Sequence, residues 1–190
     1  MDEKISLNGV WQWSAADSDA VHPGIVPGSV LSDMLALNLC EDPYWRRNEY
    51  KVKQLFYKDY AYWRSFSLTA DQCASAKTVL VFEGLDTLAT VRLNDEVILG
   101  ADDMHRTWRV DVTGKLQTEN TLRVDFASPL RYIEAKEPRA IFSMPPPAAS
   151  TVIHICVRRI ICLAGTGARI CRTQVFGAAS APPDGHSRTS

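Results

Sequence analysis

The chain lacks most of the marks by which a sequence declares an anchor, a covalent framework or an active site. Its first residues, MDEKISL, open with acids and have neither the basic start nor the apolar core of a secretory signal, so a cytoplasmic location is the expectation. No run approaches the roughly 20 apolar residues of a membrane span, and the longest apolar stretch near the C-terminus is split by Arg158 and Arg159. No membrane partner is expected. Cysteine is sparse and odd in number, at five, and Cys156, Cys162 and Cys171 are separated by five and eight residues. That argues against a disulfide framework and against the close pairs of a structural zinc site. No phosphate-cradling glycine loop or Ser/His/Asp arrangement occurs, and no cofactor or metal is called for. The carboxylates Glu41, Asp42, Glu83, Asp86, Asp95, Glu96, Asp102 and Asp103 sit where turns and strand ends are expected, and no motif ties a pair together. No catalytic residue is assigned in this chain.

Charge is nearly balanced at −1 overall, but residues 151–190 carry +4 and the first 150 carry −5. Five arginines spread over forty residues without interleaved aromatics do not make a nucleic-acid surface. No nucleic-acid partner is expected.

What is present is strand. With 46% hydrophobic and 23% charged residues over 190 positions, the composition is that of one globular domain with an appendage. Val79–Gly100, VLVFEGLDTLATVRLNDEVILG, holds the densest signal. Leu80, Val81 and Phe82 form an unbroken apolar run, as in a strand covered on both faces. Ala89, Val91 and Leu93 then alternate with Thr90, Arg92 and Asn94, the period of a half-buried antiparallel strand. Asn94-Asp95 supplies a tight hairpin, while Gly84, Gly100 and Gly114 read as turn glycines. Upstream, a turn at Asn8-Gly9 separates two short strands, with Trp11 and Trp13 on one face and Val10 and Gln12 on the other. Asp17–Gly24 reads as a polar loop. Ser29 is a fitting N-cap for one short helix over Val30–Leu37, with Val30, Met34 and Leu37 on its inner stripe. Tyr60–Leu68 is a strand, Ala70–Ala76 a loop, and Trp108–Val112 and Leu122–Phe126 are further strands. The fold class is all-β, a jelly-roll sandwich of seven or eight strands with one short helix, followed by an unstructured tail.

FEGLDTLATVRLNDEVILG resembles the central signature of the N-terminal, galactose-binding-like domain of glycoside hydrolase family 2. DMHRTWRVDVT (Asp103–Thr113) and NTLRVDFASP (Asn120–Pro129) follow in the order and spacing of the β-mannosidase branch. VPGSVLSDMLALNLCEDPYWRRNEY and DYAYWRSFSL are similar to the segments that precede that branch's sandwich core. The resemblance implies a non-catalytic domain, residues 1–145, of an enzyme that hydrolyses terminal non-reducing β-D-mannose residues with retention. Its two catalytic glutamates belong to a barrel that this chain does not contain, so the chain alone is expected to be inactive. Its implied partners are the missing C-terminal domains and, as a second expectation, β-mannoside oligosaccharides. Two roles stay open for the loop residues Tyr44, Trp45, Arg46, Arg47 and Asn48: packing against a neighbouring domain, or contact with sugar. Trp45 and Asn48 are the candidate substrate-binding residues. A stand-alone carbohydrate-binding module is the alternative, for which an exposed aromatic platform at Tyr44 and Trp45 would be the mark.

From about Pro145 the strand pattern stops, and residues 146–190 read as a linker and tail. If the codons of Thr151–Gly167 are read one base out, they are compatible with G-Y-T-Y-L-R-K-A-H-Y-M-F-G-W-D-W-G. The first two bases of most codons are fixed by the amino acid, so only wobble bases were chosen. The string resembles the W-D-W-G loop of β-mannosidases, and the same shift turns Gln174–Ala179 into G-I-W-R-R. The tail from roughly Ala148 is therefore read as an out-of-frame translation, and Thr151–Ser190 is expected to be disordered.

Overall fold

Apolar side chains that alternate or run unbroken along short segments must face one another to leave water, and here they do so between two antiparallel sheets. The computed structural model describes residues 2–136 and 169–178. In chain order the elements are β1 (Asp2–Ser6), β2 (Gly9–Ala15), β3 (His22–Val26), β4 (Gly28–Ser29), α1 (Val30–Ala36), α2 (Asn48–Leu55), β5 (Tyr60–Ser67), α3 (Ala70–Cys73), β6 (Lys77–Asp86), β7 (Ala89–Leu93), β8 (Glu96–Ala101), β9 (Trp108–Asp111), β10 (Glu119–Phe126), α4 (Pro129–Lys136) and β11 (Arg169–Ala178). One sheet runs β3-β2-β5-β10-β7-β8, and the other β1-β11-β6-β9 with β4 added on β11. Trp11, Trp13 and Tyr62 from the first sheet meet Leu80, Phe82 and Leu85 from the second, all at most 2% exposed. The all-β sandwich is thus the architecture.

Local chemistry explains most boundaries. Asn94 and Asp95 both have positive φ, at 50° and 68°, which is what a two-residue hairpin between right-twisted strands requires. Val81 is buried along with Leu80 and Phe82, so β6 is covered on both faces. Ser29 caps α1 through a capping box, its hydroxyl accepting from the Ser32 amide while the Ser32 hydroxyl receives the Ser29 amide.

Several expectations need correction. β3 begins at His22 inside the stretch read as a polar loop, because β2 offers it an open edge from Gly9 to Trp13. Leu37 is not on the inner stripe of α1: it is the C-cap, 36% exposed. Gly84 and Gly100 lie within β6 and β8, and of the three only Gly114, at φ +74°, takes a turn conformation that favours glycine. Three helices join the one expected. α2 is held by Val52 and Phe56 packing on Leu130 of α4, and α3 by a Thr69–Gln72 capping box. The tail is corrected over Arg169–Ala178, which forms β11 between β1 and β6. Strand pairing is made by the main chain, and Ile170, Val175 and Phe176 are residue types that strands favour. The rest of the region expected to be unstructured, 146–168 and 179–190, lies outside the described residues, as do His154, Cys156 and Cys162.

A buried carboxyl ties α1 to the sheet. Asp33 is 6% exposed, and its two oxygens accept from the Tyr62 hydroxyl at 2.7 Å and the Ile25 amide at 3.1 Å. Gly24 leaves the room this needs: a Cβ there would lie 2.6 Å from Asp33 Oδ2 and 2.8 Å from Trp13. Burial raises the Asp33 pKa, opposed by the two hydrogen bonds, and burial with the adjacent carboxyl pushes the Tyr62 hydroxyl up as well.

Two outcomes follow. Tyr62→Phe strands one Asp33 oxygen and lowers stability by about 1–3 kcal/mol, read from urea unfolding. Because the folded pKa of Asp33 is raised, its proton-linked stabilisation is complete below the unfolded value near 3.9 and drains away as pH rises through the folded value. Asp33→Asn removes that component, so the difference in stability between the two chains varies with pH across this window; a constant difference would show that Asp33 does not titrate with folding.

Candidate functional site: an aromatic loop

Among the described residues, the segment between α1 and β5 carries the largest group of exposed aromatic side chains. Asn38 leaves α1 in a left-handed conformation, φ 55°, while the Leu39 amide donates back to the Met34 carbonyl at 2.8 Å. The chain then turns around Asp42. Its carboxylate accepts from the Tyr44 amide at 2.9 Å, and its carbonyl accepts from the Trp45 amide at 3.2 Å. Arg46 follows at φ 53°, and Lys51 reaches across to Glu41 at 2.8 Å, an exposed pair contributing at most about 1 kcal/mol.

This loop is held from below. Tyr60 donates its hydroxyl to the Leu55 carbonyl at 2.8 Å, and Ser128 donates to the Phe56 carbonyl at 2.6 Å. Tyr57 donates to Glu134 of α4 at 2.6 Å, which raises the tyrosine pKa, and Arg131 of α4 pairs with Asp59. The C-terminal end of α2 is thus pinned to β5 and α4, and the loop's other end is fixed through Asp33 of α1. The result is a presented turn with Tyr44 at 94%, Trp45 at 63% and Tyr50 at 65% exposure. The Arg46 guanidinium lies 5.7 Å from the Trp45 ring centroid. Exposed rings beside cations can stack on the apolar face of a sugar or on another protein surface.

The two residues singled out from sequence come together here with different roles. Trp45 presents its ring. Asn48 is the first residue of α2, and its side chain donates to the Asp42 carbonyl at 3.0 Å while its amide donates to the Trp45 carbonyl at 3.1 Å. Its donor is engaged in shaping the turn. Tyr50, not singled out, is displayed because helix α2 starts two residues before it; the apolar pair Val52 and Phe56 was the signal for that helix. Trp63 is a further aromatic on the outward face of β5, with Arg123 5.9 Å from its ring and bonded in turn to Asp125 at 2.7 Å.

A shallow depression of about 340 Å³ lies elsewhere, lined by Leu88–Thr90, Gly100–Asp102 and Ala127, with Asp102 its one titratable group. Among the described residues no three His, Cys, Asp or Glu side chains are grouped to hold a metal, and no helix is long and apolar enough to cross a membrane. Cys40 and Cys73 are free thiols, and burial raises the pKa of Cys40.

Among the described residues, two antiparallel sheets form a sandwich that presents an aromatic loop. The sequence profile of the family described as Glycosyl hydrolase 2 galactose-binding domain-like matches residues 11–168, and the chain belongs to that family. The match runs past the boundary at 145 drawn from sequence. The chain is 31% identical over 167 residues to the β-mannosidase of Bos taurus, covering 85% of this chain and 19% of that protein. It is 38% identical over 135 residues to β-mannosidase B of Aspergillus clavatus, covering 67% of this chain and 16% of that protein. Among solved structures, β-D-mannosidase from Dictyoglomus thermophilum superposes with a TM-score of 0.69 at 29% identity, over 72% of this chain and 17% of that one. The chain therefore spans about a fifth of the length of the curated relatives it matches.

The site makes a direct prediction. Tyr44→Ala and Trp45→Ala each change stability by less than about 0.5 kcal/mol, because neither ring is buried, and Trp45→Ala abolishes the tryptophan fluorescence most accessible to a neutral aqueous quencher. Trp13→Ala costs about 3–5 kcal/mol. A Trp45→Ala chain destabilised as much as Trp13→Ala would show that the loop is part of the core.

Proposed function

We propose that this chain is the N-terminal, non-catalytic domain of a β-mannosidase, whose whole enzyme hydrolyses terminal non-reducing β-D-mannose residues with retention. The observation that carries the reading is the joint match of sequence and fold: 29–38% identity to β-mannosidases with a TM-score of 0.69, against 17% and 0.57 for a β-glucuronidase from Faecalibacterium prausnitzii, a likeness of fold alone. Retaining hydrolysis needs two carboxyl groups about 5–5.5 Å apart, and these belong to the remaining four-fifths of such an enzyme. The role of the present residues is to buttress that catalytic part and help wall its pocket. Its partners are the C-terminal domains, which would meet the aromatic loop and the exposed Val10–Ile25 pair on the β2–β3 edge, and through them β-mannoside oligosaccharides. No cofactor enters this reading. A cytoplasmic location belongs to the same proposal, which the free thiols Cys40 and Cys73 suit.

The second reading, a carbohydrate-binding module acting alone, is favoured by the exposure of Tyr44, Trp45 and Tyr50. Purified chain should give no turnover of an aryl β-mannoside; measurable hydrolysis that survives repurification would overturn the first reading. Saturable heat of binding with mannobiose, lost in Trp45→Ala, would favour the second.

The tail bears on the first reading as well. Resequencing the gene from the codons for Arg131–Thr173 onward should reveal a single-base change that restores the W-D-W-G loop and opens a long downstream frame. A coding sequence that closes in frame after Ser190, with no such continuation, would refute the out-of-frame interpretation.

A further inference from the structure

The strands of the six-stranded sheet that turn Trp11, Trp13, Tyr62, Val91 and Val124 toward the core turn their alternate residues outward. Register sets two adjoining rows on that outer face. Gln12 stands opposite Trp63, Trp63 opposite Arg123, and Arg123 opposite Arg92, a row that crosses four strands and about 14 Å. Beside it Ser14, Ala61, Asp125, Thr90 and Gly100 form a second row of shorter side chains. This second row leads into the depression of about 340 Å³ at Thr90, Gly100 and Asp102. A Cβ on Gly100 would meet nothing within 4 Å, so that end of the row is open.

The long side chains of the first row are tied together. Like charges directly opposite across an antiparallel pair oppose it, and Asp125 offsets that repulsion by accepting from Arg123 Nε at 2.7 Å and from Arg92 Nε at 3.3 Å. The Arg123 guanidinium also lies 5.9 Å from the ring centroid of half-buried Trp63. Fixing both Nε atoms orients both guanidinium forks, and among the described residues their Nη atoms have no hydrogen-bond partner. The Thr90 hydroxyl and the Asp102 carboxylate, at the depression, have none there either. The charges of Arg92, Arg123, Asp102 and Asp125 cancel, so this surface does not select an ion. It offers fixed donors and acceptors side by side, next to an indole. A hydroxyl both donates and accepts, and the C–H face of a sugar ring packs on an aromatic face. A sugar chain uses all three.

We propose that the outer face of the six-stranded sheet binds a neutral oligosaccharide, with Trp63 as the stacking ring, Arg92, Arg123 and Asp125 as the hydrogen-bonding centre, and the depression at Gly100 as the end subsite. This surface is built from other elements than the loop of Tyr44 and Trp45. The test is calorimetric titration of the full chain with mannohexaose, which should give saturable heat. Gly100→Trp has open room for its side chain, so it should fill the depression and abolish that heat while keeping the urea unfolding midpoint. Arg92→Gln, which leaves Asp125 bonded to Arg123, should weaken binding about tenfold. Trp45→Ala should leave binding unchanged. Absence of saturable heat would overturn the proposal, as would binding that survives both sheet substitutions. So would binding lost in Trp45→Ala, which assigns the sugar to the loop, or tighter binding of oligogalacturonate than of mannohexaose at low salt, which defines an anion site. None of these readouts involves hydrolysis, so they decide this surface independently of the parent enzyme's reaction.

Discussion

A strand buried on both faces can satisfy its backbone only through its two edges, and β6 is such a strand. Leu80, Val81 and Phe82 close off solvent above and below, so every N–H and C=O from Lys77 to Asp86 needs a neighbour. β9 supplies four residues of pairing on one edge, from Trp108 to Asp111, and β11 runs along the other. Recruitment of β1 and β4 follows from that second edge. A demand made by the main chain is indifferent to side chains, so the position on this edge is set by backbone pairing first.

The six-stranded sheet that faces β6 is organised around a different kind of constraint. Trp13 meets Tyr60 edge-on at a centroid distance of 6.1 Å and stacks on Tyr62 at 6.3 Å, and each polar tip must be given a partner as it is buried. Trp13 donates to the Pro23 carbonyl at 3.1 Å, Tyr62 to Asp33, and Tyr60 to Leu55. Those last two bonds fasten α1 and α2 to the sheet. The aromatic loop lies between these fastenings, so its exposure is a consequence of how the core below it is satisfied.

This division explains what was legible in the sequence. Period-two alternation named β7 to within a residue and β10 to within three, and the apolar run named β6, because burial pattern is written directly into residue order. The cap at Ser29 was legible for the same reason. α2 was hidden because its sequence, NEYKVKQL, is polar almost throughout and owes its place to two anchors, Val52 and Phe56, meeting Leu130 from α4, 78 and 74 positions later. Trp45 could be picked as an exposed ring from its polar neighbours. That Asn48 spends its side chain on Asp42 could not be seen, since the spacing that permits a sugar contact permits a turn contact equally.

Gly24 shows where tolerance to change is least like what its neighbourhood suggests. It follows a polar, solvent-facing stretch, and an engineer choosing positions for a label, a linker or a randomised library would count it among the safe ones. Yet the space where a methyl group would go is already filled by a carboxyl oxygen and an indole edge. In a saturation scan of residues 17–25 this one codon would stand out as an isolated gap in an otherwise permissive profile, a mark left on β3 by the buried carboxyl of α1.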